Sequence, residues 1–134
     1  GHDISPEENQ YQAGLNFAIS YKKPFDFIGK KELIKIKDQK LDRRFVMFVL
    51  KNNEPGNPLL LHEEPIYLDN DIIGKTTSGN YSFNYDKNLS FGYIKSELSN
   101  EQLNKRSIYI EIEKVKYQAK LLSKPLKLKN FKNI

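Results

Sequence analysis

His2 and His62 are the only imidazoles in this 134-residue chain, which has no cysteine. His2-Asp3 pairs a possible base with a carboxylate that could orient it, the arrangement that activates a nucleophile. The nucleophile is missing, however: there is no thiol, and no Gly-x-Ser-x-Gly turn to expose a serine. His2 also sits in the first three residues, where chains are usually mobile. His62-Glu63-Glu64 places three ligating side chains in a row, but neighbours on a strand face opposite ways. A metal would therefore need further ligands from elsewhere, and ordinary solvated side chains are expected there. Gly74-Lys75-Thr76 has the ending of a phosphate loop without the upstream glycine at the required offset. It also joins a strand rather than opening a helix. The run Gly74-Lys75-Thr76-Thr77-Ser78-Gly79-Asn80-Tyr81-Ser82-Phe83 brackets its hydroxyls with glycines. It reads either as donors to a ligand or as structure, with Gly79 supplying positive φ at a strand bend and the hydroxyls satisfying backbone groups. The structural reading is favoured. No catalytic residue and no metal ligand are assigned.

The elements that would position these groups fall into two parts. Residues 1–12 are polar and carry a proline, which reads as loop. Leu15, Phe17 and Ile19 alternate with smaller or more polar residues, the period of a half-buried strand ending at Lys22-Lys23-Pro24. From Lys30 to Lys40 good helix formers take over, with Gly29 as N-cap and Glu32 in the first turn. Phe45 to Leu50 is apolar on both faces, as a central strand would be. Lys51 to Asn57 is a loop. Pro65 to Leu68 and Ile72-Ile73 flank the tight turn Asp69-Asn70-Asp71. Strands are further expected at Leu89 to Ile94, Ser107 to Glu113 and Tyr117 to Leu122. The fold class is thus mainly β with a short α/β segment at the N-terminus, the strands forming a small antiparallel barrel or sandwich. A strand and one helix cannot bury their apolar faces alone, so residues 1–40 must pack on the β unit or on an upstream domain.

Bulk properties narrow the function classes. Hydrophobic residues make up 38% and charged residues 29%, which suits a folded soluble domain. No apolar run approaches the roughly 20 residues that span a bilayer, and no secretory pattern opens the chain, so no membrane partner and a cytoplasmic location are expected. The net charge of +5 is spread over every segment, densest at Lys124 to Lys132. A nucleic-acid binder would concentrate it on one face beside aromatics, so nucleic acid is not the expected partner. The absence of an initiator methionine points to a piece of a longer polypeptide.

Motifs in series carry a resemblance. Gly1-His2-Asp3-Ile4, Ala13-Gly14-Leu15 and Asp26-Phe27-Ile28-Gly29-Lys30 resemble, in order and spacing, the glycine cleavage T-protein (aminomethyltransferase) family. The series continues through Arg43-Arg44, Pro65-Ile66-Tyr67, Ile73-Gly74-Lys75-Thr76-Thr77-Ser78-Gly79, Phe91-Gly92-Tyr93-Ile94 and Lys124-Pro125-Leu126. Within the family, Pro58-Leu59-Leu60-Leu61-His62, Thr76 to Tyr81 and Leu89 to Tyr93 look most like the bacterial flavin-linked dimethylglycine and sarcosine dehydrogenases. The resemblance implies that residues 1–40 finish a folate-binding middle domain, that 43–127 form the family's C-terminal β-barrel, and that 128–134 are a basic tail. It implies a parent enzyme, an oxidoreductase and aminomethyltransferase that passes a one-carbon unit from an N-methyl glycine to tetrahydrofolate. This part would wall the folate site and be inactive alone, its partner being the remainder of the polypeptide. FAD would belong to the N-terminal part of the parent. The family's catalytic Asp and its pterin-holding Tyr and Glu would lie upstream of Gly1. Lys22 and Lys23 fall where a relative has arginines near the folate tail and are the folate-tail candidates. Gln10 and Gln12 depart from the family, which has Pro and Glu there. Two alternatives stay open: a fragment of a stand-alone aminomethyltransferase, or a small basic barrel binding RNA or single-stranded DNA through Tyr81, Phe83 and Tyr93.

Overall fold

A computed structural model describes residues 1–124 and Leu126. Pro125, residues 127–134 and with them the expected basic tail lie outside the described residues. Six strands, β1 (Arg43–Leu50), β2 (Pro65–Leu68), β3 (Asp71–Ser82), β4 (Lys87–Lys95), β5 (Ile108–Ile112) and β6 (Val115–Leu122), close into an antiparallel barrel in the order β1-β4-β3-β2-β5-β6. Closure comes from β6 pairing back onto β1, Leu50 opposite Ala119 and Met47 opposite Leu122. A closed barrel leaves no edge strand to attract foreign strands.

Strand alternation fills the interior. Val46, Phe48 and Leu50 of β1 point inward with Ile66, Leu68, Ile94, Ile108, Ile110, Ile112, Ala119 and Leu121. Such large side chains, buried to within a few percent, supply the main driving force for the domain. The opposite face of β1 is apolar too: Phe45, Met47 and Val49 pair with Tyr93, Phe91 and Leu89. The expectation that β1 is central and apolar on both faces is met, and Phe45 stacks on Phe91 at 5.4 Å between centroids.

Glycines let the strands approach. A Cβ at Gly74 would lie 2.0 Å from the Tyr93 carbonyl oxygen. At Gly79 the same reasoning overturns the expected positive φ: the residue is needed for space, because its Cβ would meet Leu60 Cβ at 2.7 Å.

The N-terminal part differs from expectation. No strand forms over residues 13–21. Gly14, at φ +71°, turns the chain, and Asn16–Ala18 is one 3₁₀ turn with Phe17 82% exposed. The alternation of Leu15, Phe17 and Ile19 has no partner strand to hydrogen-bond, so the periodicity alone cannot make a strand. The helix α1 is present but shorter than expected, Lys30–Ile36, and starts from Gly29 in the left-handed region at φ 88°. A second helix, α2 (Asn100–Lys105), was not expected. Its capping box, Ser99 with Gln102, is legible in the sequence as Ser-x-x-Gln, and Leu103 anchors it in the core with no exposure. Among the described residues no helix is long and apolar enough to cross a membrane.

Candidate functional site

The first four residues lie against the barrel where β3 is irregular. Thr76 pairs with Gly92 and Ser78 with Phe91, leaving Thr77 as the extra residue of a β-bulge. On a regular strand Thr77 and Ser78 would point to opposite faces, and a bulge re-aims such neighbours. Here both hydroxyls donate to one carboxylate oxygen, Asp3 Oδ1, from Thr77 Oγ1 at 2.6 Å and Ser78 Oγ at 2.8 Å. Tyr93 Oη donates to the Asp3 carbonyl at 3.0 Å. Thr76 faces inward instead, and its hydroxyl holds Glu64. The hydroxyl run is therefore structural, and its partners are the two carboxylates as well as a backbone amide.

More contacts continue this attachment of the N-terminal arm. Glu8 accepts from the Ser5 amide and hydroxyl and from Arg43 Nη2 at 3.0 Å. The Ser5 hydrogen bonds first, and Arg43 less, hold its carboxyl below the usual range. Arg43 lies over the Tyr93 ring, 5.4 Å from its centroid. Burial, then the charge of Glu8, raises the Tyr93 phenol. Gln12 is buried and donates to Asp42 Oδ1 at 2.6 Å. That bond is the chief cause of a lowered Asp42 carboxyl. The Gln12 carbonyl accepts from the Phe45 amide at 2.8 Å, a backbone link between arm and β1.

Between arm and barrel lies a cleft of about 650 Å³, lined among others by His2, Asp3, Leu61, His62, Thr77 and Ser78. His62 is exposed and precedes β2, so the strand argument for His62-Glu63-Glu64 does not apply. The three side chains part company: Glu63 pairs with Lys75 at 2.6 Å, Glu64 takes Thr76, and His62 meets His2. Nothing local in the sequence links His2 to His62; the fold alone brings their rings together.

The folate-tail candidates lie elsewhere. Lys22 and Lys23 are both exposed. Lys23 Nζ stands 5.6 Å from the Phe25 ring centroid and lines a second cleft of about 470 Å³ with Leu15, Phe25, Phe27, Ile28 and Leu33. Lys22 is not among its lining residues. This region is tied together by Tyr11, whose hydroxyl contacts Tyr21 and donates to the Leu33 carbonyl at 3.2 Å. Burial and then the Tyr21 hydrogen bond push Tyr11 up to about 12. Outward it is unfinished: Phe17, Phe25, Ile28 and Ile34 are all more than half exposed, and α1 buries no residue. The three-aromatic face on which single-strand binding would depend is not assembled. Tyr93 is buried, while Tyr81 packs edge-on to the exposed Phe83.

The architecture is thus that of a closed antiparallel barrel with an N-terminal arm pinned to the bulge of β3. Residues 43–127 match the glycine cleavage T-protein C-terminal barrel domain, and the chain belongs to that family. It is 34% identical over 131 residues to the mitochondrial dimethylglycine dehydrogenase of Rattus norvegicus, covering 96% of this chain and 14% of that protein. To the aminomethyltransferase of Alkaliphilus metalliredigens it is 35% identical over 135 residues, covering 98% and 34%. The glycine cleavage system aminomethyltransferase T of Bartonella henselae shares the fold, with a TM-score of 0.72 at 18% identity over 91% of this chain and 33% of that one. The chain therefore spans a minor part of the length of these relatives.

Proposed function

We propose that this chain is the C-terminal part of a tetrahydrofolate-dependent demethylating dehydrogenase of the dimethylglycine/sarcosine type. In this reading residues 1–40 complete a folate-binding middle domain and 43–127 form the barrel that backs it. The observation that carries it is the unfinished cleft at Lys23, whose apolar side chains stay exposed on a segment with no buried helix face. Exposed apolar surface of this kind marks an interface or a ligand groove. The match to a dimethylglycine dehydrogenase runs through this segment and the barrel together.

The residues fit a folate tail. Phe25, Phe27 and Ile28 suit its aromatic ring, and Lys23 in the cleft, with the exposed Lys22 preceding it in the chain, suits its glutamate carboxylates as a point charge. Tetrahydrofolate, when bound, would accept the one-carbon unit. The residues of this chain would bind and orient its tail and help exclude water. FAD and the catalytic carboxylate would be held by the rest of the polypeptide, and a cytoplasmic location is part of the proposal. The match to an aminomethyltransferase supports a second reading, a fragment of that enzyme.

The test uses the full-length protein. Lys22→Glu with Lys23→Glu should weaken tetrahydrofolate binding about tenfold, one lost charged contact being worth roughly 1.4 kcal/mol or more, while N-methyl oxidation keeps its rate. Unchanged folate affinity removes the tail assignment. No flavin reduction by dimethylglycine or sarcosine selects the aminomethyltransferase reading.

A further inference from the structure

His2 belongs to the N-terminal arm and His62 to the loop before β2, yet their rings lie 4.9 Å apart between centroids, with planes tilted by 39°. Both side chains are exposed, both line the arm–barrel cleft, and among the described residues neither imidazole has a hydrogen-bond partner. The two rings are each other's contact at the mouth of the cleft.

We propose that His2 and His62 form a two-imidazole site for a divalent first-row transition ion. Imidazole nitrogen suits Zn, Ni and Cu ions. Nitrogen–metal bonds of about 2.0–2.1 Å put each ring centroid roughly 3.2 Å from a shared ion, and ligand angles of about 90–110° then separate the centroids by roughly 4.5–5.2 Å. The observed separation of 4.9 Å falls inside that interval, as two rings sharing one ion require. Among the described residues no set of three His, Cys, Asp or Glu side chains is placed to hold an ion. Water therefore completes the coordination, and the site is exchangeable rather than a structural zinc centre.

The placement of His2 gives the site a consequence. The arm is held by Asp3, through Thr77 and Ser78. An ion bridging His2 and His62 binds the docked arm and not the released one, so the ion and the Asp3 contact reinforce each other by mass action. The site thereby reads whether the arm is seated on the bulge of β3.

The experiment titrates the 134-residue chain, its Gly1 amine acetylated to remove a competing donor, with Cu²⁺, Ni²⁺ and Zn²⁺ by calorimetry, and with Mg²⁺ as a hard-ion control. One ion per chain is expected, Cu²⁺ binding more tightly than Ni²⁺ or Zn²⁺ and Mg²⁺ not binding. His62→Ala and His2→Ala should each weaken binding about tenfold or more, and Thr77→Ala with Ser78→Ala should weaken it by a smaller factor through loss of the seated arm. Because both histidines are exposed, their removal leaves the barrel intact, as a far-UV spectrum will show. Cu²⁺ should also broaden NMR signals at both histidines together. Affinity unchanged in His62→Ala, broadening at His2 alone, or no binding of Cu²⁺ at millimolar concentration would each overturn the site.

Discussion

Thr77 Oγ1 donates to Asp3 Oδ1 across 2.6 Å, joining residues 74 positions apart. The bond exists because Thr77 is the extra residue of the β3 bulge. Without that insertion Thr77 and Ser78 could not face one carboxylate. Asp3→Ala should leave both hydroxyls without their acceptor and loosen the arm, at a local cost of about 1–3 kcal/mol for hydrogen bonds to a charged group. Hydrogen exchange should show residues 1–8 losing protection, while β1 and β4 keep theirs. Loss of protection throughout the barrel would mean that the arm is integral to its core.

Gly74 faces the Tyr93 carbonyl so closely that any Cβ collides with backbone, not with a side chain that can move aside. Gly74→Ala should therefore cost about 1–3 kcal/mol or more, as overpacking does. At Gly56, φ is +71° and no atom lies within 4 Å of the added Cβ. Alanine there meets only the left-handed penalty of about 1–2 kcal/mol. Urea unfolding of both variants checks the order.

Asn88, fully buried on β4, spans the 51–57 loop, its Nδ2 lying 3.0 Å from the Asn52 carbonyl and 3.1 Å from that of Glu54. Asn88→Ala leaves those carbonyls to find other donors, and a loss of about 1–3 kcal/mol is expected. Thermal unfolding measures it. A change within about 0.5 kcal/mol, typical of surface sites, would show that the loop holds itself.

Acid should destabilise the domain. The hydrogen bond from Arg106 is the main reason that the Asp69 carboxyl titrates low, as Gln12 is for Asp42 and Ser5 for Glu8. A carboxylate whose folded pKa is depressed stabilises the fold above its unfolded value and ceases to do so as pH falls through the folded one. Stability should be flat above about pH 5 and drop below about pH 4. Asp69→Asn should make that acid limb shallower, as read from melting temperature against pH. An unchanged limb would assign the effect to the other two carboxylates.

Local sequence carried much of this protein. The run of strand formers from Phe45 to Leu50, the turn at Asp69-Asn70-Asp71 and the later strands are legible because strand preference and a tight turn are set by neighbouring residues. The capping box at Ser99 is equally local and marks the start of α2. The ordered motifs from Gly1 to Leu126 indicate the family. Residues 13–21 were misread because alternation states which side chains would share a face and not whether a partner strand exists to bond them. Lys22 and Lys23 were named from sequence, but only the folded segment shows that Lys23 lines the apolar cleft and Lys22 does not. The arm site was out of reach for the same reason. Bulge position depends on the register between β3 and β4, which no single strand encodes, and that register alone turns Thr77 and Ser78 toward Asp3. Once Asp3 is seated, His2 is carried to His62 by chain geometry, a meeting of distant residues that only tertiary packing can bring about.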